Sequence, residues 1–441
     1  TQIKASNKVK GEALLVANDY RRHNYGTFVF KTSNYGKSWK RIATDEAIGS
    51  FALCIVEDVV NPNLLFLGAD NGLHISLDGG ANWEKVDTKL FPTVPVNDLV
   101  IHPREHDLVI GTFGRAFWVL DDIRPLRAIA ADPSLLKEPA HLFEPPVGYL
   151  AAYQQANGTR FGGDAIYNGE NRRRGAMISY YVNPEKDAKD TLFLEIYKGD
   201  QLIRTLRQTS IKEQGIFRMY WGMDEKGPDR PARRIRNSDR EPSGKDVLPG
   251  NYQLVLKYAG KVDTQTISVE SDPRIPANLE DLKSVYDAAN QIENYTQLSA
   301  DMVKALVERK DLANEYSTQL KEVDQKAHQA AIDSSKAIIR DINKLIDLFL
   351  GEEDDRQGIV RSHKETIMSR IGKANSYTRS RPNGVTETEK MLINQARMYL
   401  EDGMKQVNEF LGTKWKAYQT EMEAIEIKRT IEIPEFNLEP K

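Results

Sequence analysis

Two short segments of this chain spell the same turn, and that turn limits what the first quarter of the sequence can fold into. Thr32-Ser33-Asn34-Tyr35-Gly36-Lys37-Ser38-Trp39 and Ser76-Leu77-Asp78-Gly79-Gly80-Ala81-Asn82-Trp83 fit one template: Ser/Thr, any residue, Asp/Asn, any, Gly, any, Ser/Thr/Asn, Trp. A strand-like run precedes each, Phe28-Val29-Phe30-Lys31 and Leu73-His74-Ile75. The two Trp residues lie 44 positions apart. A repeat of about 40–50 residues built from short strands is the pattern of β-propeller blades.

The turn explains its own residues. Ser76 and Asp78 carry short polar side chains able to hydrogen-bond nearby backbone N–H groups. Gly80 permits a backbone conformation that a Cβ would penalise. Trp83 opens the next strand with a large ring that fills space between sheets. Thr32, Asn34, Gly36 and Trp39 repeat the arrangement, so all eight residues are expected to be structural rather than ligand-binding.

A third unit keeps the strand pair without the Trp turn. Leu64-Leu65-Phe66-Leu67-Gly68-Ala69-Asp70 recurs as Asp107-Leu108-Val109-Ile110-Gly111-Thr112-Phe113, each after a Pro-containing turn. Residues 1–126 thus read as the C-terminal blades of a propeller. Closed propellers use about four to eight blades, and at most three are present. The chain opens at Thr1 without Met or a signal-peptide pattern. The expectation is that the remaining blades lie in an N-terminal segment of the same precursor or in a second chain.

Residues 127–170 read as a connector and 171–272 as alternating strands with turns, the pattern of an immunoglobulin-like or fibronectin-like sandwich. Past Asp272-Pro273-Arg274-Ile275-Pro276 the period changes. Val285, Ala289, Ile292, Leu298, Val303 and Leu306 mark one helix face. Ile338, Ile342, Leu345 and Phe349 mark a second. Leu392, Ala396, Tyr399, Met404, Val407, Leu411, Trp415, Tyr418, Met422 and Ile425 mark a third. Residues 277–430 are therefore expected to form a helical bundle, followed by a tail at 431–441. The fold class is multidomain, mainly β and then α.

Several stretches resemble one family. The repeated Ser-x-Asp-x-Gly-x-x-Trp element resembles the Asp-box, or BNR, repeat of sialidase-like and sortilin-type propellers. Asn97 to Glu105, Asp107 to Arg115 and Trp118 to Ile123 look like the last blade of bacterial sortilin-type or glycosyl-hydrolase-like BNR-repeat proteins. Phe113 stands where that family often has His. Gly169-Glu170-Asn171, Tyr220-Trp221, Leu248-Pro249-Gly250-Asn251-Tyr252 and Ser271-Asp272-Pro273-Arg274 resemble the family's sandwich and following linker. The resemblance implies Asp boxes on the outer edge of the propeller. It also implies an extracellular, cell-surface or periplasmic bacterial protein.

Other features have simpler readings. His102-Pro103-Arg104-Glu105-His106 matches a zinc motif, H-x-x-E-H, that requires a helix; Pro103 between two strand-like runs makes it a turn. No metal or cofactor is expected. Asp121-Asp122, as neighbours on a strand, point to opposite faces and cannot flank one bond as a glycosidase pair must, and Glu352 to Asp355 reads as a solvated loop. Arg230, Arg233, Arg234 and Arg236 form a basic loop that could hold an acidic glycan or a partner's carboxylates, as could Arg172 to Arg174. Single Cys54 sits in an apolar run and reads as core. A formal net charge of −3 gives no case for nucleic acid, and no apolar run approaches the roughly 20 residues of a membrane span. Two functions follow: a surface or secreted interaction protein that binds other surface proteins or glycans, or a sialidase-like or xyloglucanase-like glycoside hydrolase with its catalytic residues mostly in other blades.

Overall fold

A computed structural model describes residues 2–151, 172–185, 190–235, 238–275, 278–353, 364–380 and 383–425. The chain divides into two compact units. One comprises Thr1–Met223 and Pro249–Glu270, the other Asp224–Leu248 and Ser271–Lys441. The first is built of β-sheets and the second is mainly helical, so the molecule is multidomain, β-rich, with a C-terminal helical region.

The first unit begins with three antiparallel sheets in strict sequence order. Strands β1 (Gln2–Ala5), β2 (Ala13–Asp19), β3 (Asn24–Thr32) and β4 (Lys40–Ala43) form the first sheet. A short helix, α1 (Asp45–Ile48), is capped by the Thr44 side chain and ends at Gly49. Strands β5 (Ala52–Glu57), β6 (Leu65–Ala69), β7 (Gly72–Ser76) and β8 (Glu84–Lys85) form the second sheet. The third has only three strands, β9 (Val96–Ile101), β10 (Leu108–Thr112) and β11 (Phe117–Leu120), in the order β11-β10-β9. Helix α2 (Arg124–Ala131) follows.

The second sheet is buried on both faces. Every residue of β6 is buried, as expected of a continuous apolar run rather than an alternating one. Leu65, Leu67 and Ala69 share a core with Leu14, Val16 and Val29 of the first sheet. Leu64 and Phe66 share another with Leu99, Ile101, Leu108 and Ile110 of the third. Gly68 marks the closest approach: a Cβ there would stand 2.6 Å from the Val96 carbonyl oxygen. Cys54 lies in the same core, its thiol pushed up to about 12 by burial.

Two further sheets complete this unit. Strands β12 (Ala140–Leu142) and β13 (Gly148–Leu150) fall within the expected connector. After them come β14 (Ala176–Val182), β15 (Leu192–Lys198), β16 (Gln201–Gln208) and β17 (Gly215–Trp221). Strands β18 (Asp224–Lys226) and β19 (Ser243–Asp246) form a separate hairpin, and β20 (Gly250–Tyr258) and β21 (Lys261–Ser271) close the run. One sheet has the order β12-β14-β17 and the other β13-β21-β20-β15-β16. Buried Trp221 and Tyr252 meet edge to face between them, 5.4 Å apart. The β18–β19 hairpin, which lies inside the sandwich range 171–272 in sequence, groups with the helices instead.

The helical unit contains α3 (Leu279–Asp324), α4 (Gln329–Leu350), α5 (Ile367–Arg379), α6 (Glu387–Phe410) and α7 (Lys416–Glu423). Asn278 caps α3, and α5 and α6 start with capping boxes at Thr366/Ser369 and Thr386/Glu389. Their shared core includes Val303, Leu306, Ile342, Phe349, Ala396, Val407, Trp415 and Tyr418. Two expected core positions face solvent, Leu298 and Tyr399. Leu400, one turn on from Ala396, takes the buried place. A wider π-turn at Leu411–Trp415 joins α6 to α7.

Candidate interaction site

The two repeated turns share the same three central hydrogen bonds. In the second, the Ser76 hydroxyl donates to Asp78 Oδ1 at 2.8 Å and accepts from the Gly80 N–H at 2.9 Å, while Asp78 Oδ1 accepts from the Asn82 N–H at 2.9 Å. In the first, the Thr32 hydroxyl donates to Asn34 Oδ1 at 3.0 Å and accepts from the Gly36 N–H at 3.0 Å, and Asn34 Oδ1 accepts from the Ser38 N–H at 2.9 Å. Both glycines have positive φ, +79° at Gly36 and +93° at Gly80. Burial works against the Asp78 charge, but hydrogen bonds from Asn82 and Ser76 outweigh it and hold the carboxyl below its usual range. Each box spends its polar groups on its own backbone.

The boxes differ in what surrounds them. The Trp83 indole N–H donates to the Ile42 carbonyl in β4 at 2.8 Å, and a Cβ at Gly80 would meet Ile42 at 3.1 Å. The second box is therefore seated on the first sheet. Trp39 is 38% exposed, and among the described residues its indole N–H has no hydrogen-bond partner. A Cβ at Gly36 would meet nothing but Trp39 itself.

The outer sheets mirror this. On the first, Ile3, Leu15 and Phe30 are direct cross-strand neighbours, with Ala17 and Phe28 paired beside them. This face lies opposite Leu14, Val16 and Val29, and Ile3 is 65% exposed. On the third sheet, Val100, Val109 and Val119 form a row, and Phe117 pairs with Gly111 on the same side. Phe117 is 72% exposed, Val100 53% and Val119 47%. Each outer sheet thus has one packed face and one less covered apolar face: on the third sheet Phe117, Val100 and Val119 are exposed, and on the first Ile3 is exposed while Leu15, Phe28 and Phe30 are half-buried.

The basic loop does not act as one group. Arg233 is half-buried and salt-bridged to Asp347 at 2.7 Å, and it also donates to the Gly351 carbonyl. Arg230 lines a cleft of about 270 Å³ between the β18–β19 hairpin and helices α3 and α5, while Arg234 is exposed. Arg236 lies outside the described residues. Within the cleft, buried Lys245 reaches Glu225 at 2.7 Å and Glu293 at 3.4 Å. Tyr286 donates to Glu225 at 2.7 Å. Burial, then the Glu225 hydrogen bond, pushes the Tyr286 phenol up, and burial raises Glu293 despite the Lys245 charge. Of the second cluster, Arg172 lies 3.7 Å from both Glu105 and Asp107, and Arg173 sits over the Tyr220 ring.

The H-x-x-E-H segment is the turn between β9 and β10: the His106 N–H donates to the His102 carbonyl at 2.9 Å. Asp122 is buried and paired with Arg124 at 2.8 Å; burial raises its carboxyl. Glu352 pairs with Lys364 at 3.0 Å, and Asp354 and Asp355 lie outside the described residues. Among the described residues no cluster of three His, Cys, Asp or Glu side chains is placed to hold a metal. No described helix is long and apolar enough to cross a membrane.

Two devices escape a reading of the sequence. Arg127 of α2 forms a bidentate pair with buried Asp58, at 2.7 and 2.6 Å. The pair joins residues 69 apart, and nothing local signals it. The Ile42 carbonyl that receives Trp83 is the second; its exposure depends on strand register.

No family model matches the chain, and no curated protein matches it. Among solved structures it is similar to a crystal structure of an ancestral GH74 enzyme, at 17% identity and TM-score 0.22, over 26% of this chain and 13% of that one. It is also similar to pT26-6p, at 16% identity and TM-score 0.11, over 56% of this chain and 46% of that one. The chain spans less than half the length of either protein, and likenesses at this level leave fold and function to rest on the geometry above.

Proposed function

We propose that β1–β11 are three consecutive blades of an Asp-box propeller, and that the protein is a secreted or cell-surface interaction protein. Its propeller would be completed by further blades, with an immunoglobulin-like sandwich and the helical bundle as accessory domains. One observation carries this reading. The middle sheet is covered on both faces by its neighbours, whereas each outer sheet keeps a row of aliphatic and aromatic side chains half-buried to exposed on its second face. Exposed apolar faces of this kind mark surfaces made for association. The Asp boxes serve as structural turns, because their polar groups are used up internally. Recognition of other surface proteins or of glycans would then fall to the assembled molecule.

A dye that fluoresces on apolar surfaces tests the open faces. The 441-residue chain should bind it. The combined Ile3→Ser, Phe117→Ser and Val119→Thr variant should lose most of that binding with an unchanged melting temperature. A wild-type chain that binds no dye would overturn the reading.

A further inference from the structure

Resting on the propeller reading, we propose that Trp39 is a hook for a further four-stranded sheet: its indole N–H takes a backbone carbonyl from the outermost strand of that sheet, which packs on the Ile3–Leu15–Phe30 face. The molecule contains the finished version of this joint. Between β3 and β4 the register shifts, with Val29 opposite Ala43 and Phe30 opposite Arg41. Ile42 is the extra residue of this bulge, and bulges re-aim the groups they carry. Its carbonyl receives the Trp83 N–H at 2.8 Å, and its side chain seats Gly80. Trp39 stands at the same place in an identical turn, 44 residues earlier. Its indole is a donor with no acceptor function, and it has no partner among the described residues.

The joint also selects its occupant. A second copy of this chain could offer the open face of β9–β11, which is apolar and of similar extent. That sheet stops at three strands, because the chain leaves β11 through Asp121-Asp122 into α2. Among the described residues it has no strand in the position of β4 and so no carbonyl where Trp39 needs one. The occupant is therefore a sheet of the same repeat with its fourth strand in place, carried by polypeptide outside these residues and not by a second copy.

Two chimeras supply such a sheet. Residues 1–44 or residues 45–88 are placed directly before Thr1, each of which keeps the 44-residue Trp spacing. The chains are labelled with 5-fluorotryptophan, and fluorine resonances are assigned with Trp39→Phe and Trp83→Phe. The fluorine shift between H₂O and D₂O reads indole exposure. In the natural chain Trp39 should show a several-fold larger isotope shift than Trp83. In at least one chimera Trp39 should fall to the level of Trp83, while the added Trp stays exposed. Two chimeras guard against a mismatched face in either one. If an added sheet raises the melting temperature but leaves Trp39 exposed, the hook is wrong and the propeller reading survives. If neither sheet docks, both fall. A natural chain that self-associates and protects Trp39 would identify a second copy as occupant and overturn the proposal.

Discussion

The first and middle sheets share four strands in the same order and the same turn, and the third keeps the order with three strands and no Trp turn, yet only the middle one is covered on both faces. β6 is buried from end to end, while β11 alternates between half-buried and exposed. The difference lies in neighbours: β5–β8 has a sheet on each side, and β1–β4 and β9–β11 have one each. Equivalent positions should therefore respond unequally to the same change.

The largest inequality is expected in the core. Phe66→Ala should cost about 3–5 kcal/mol, because the ring is fully buried between the second and third sheets. Phe117→Ala should stay within about 0.5 kcal/mol, as for other exposed positions. Chemical denaturation of the two variants checks both. Equal losses would mean that the open face is covered in solution.

The two box tryptophans come next. Trp83→Ala should cost about 3 kcal/mol through its lost packing and its bond to Ile42. Trp39→Ala should cost about 1 kcal/mol or less. A thermal melt that ranks them the other way round would break the comparison.

A smaller effect follows from His74, buried in the middle sheet, whose imidazole is pushed down to about 4 by burial and then by Lys85. The folded state resists protonation, and the unfolded chain takes up a proton near 6.5. Stability is thus full above about 6.5 and falls as pH drops from there toward 4, by on the order of 3 kcal/mol. His74→Gln should flatten that limb of the pH–stability curve. An unchanged limb would place the acid sensitivity elsewhere.

Local periodicity carried much of this architecture and long-range pairing little. The eight box residues announce their turn because each bond spans four residues or fewer. The helical faces follow from 3.6-residue spacing, and the slip at Tyr399 reflects that Leu400 fits the same stripe. Arg233 looked free in sequence because its partner Asp347 lies 114 residues away. The β18–β19 hairpin reads as another pair of sandwich strands, since local pattern does not say which core a hairpin joins. The bulge at Ile42 is invisible for the same reason: only pairing with β3 reveals the extra residue.

Expressing residues 1–126 alone tests the central claim most directly, that these three sheets are an open stack requiring more of their kind. Sedimentation velocity and thermal unfolding should find an aggregating species without a sharp transition, since both faces and the β11 edge stay uncovered. A soluble monomer that unfolds in one cooperative step would contradict the account.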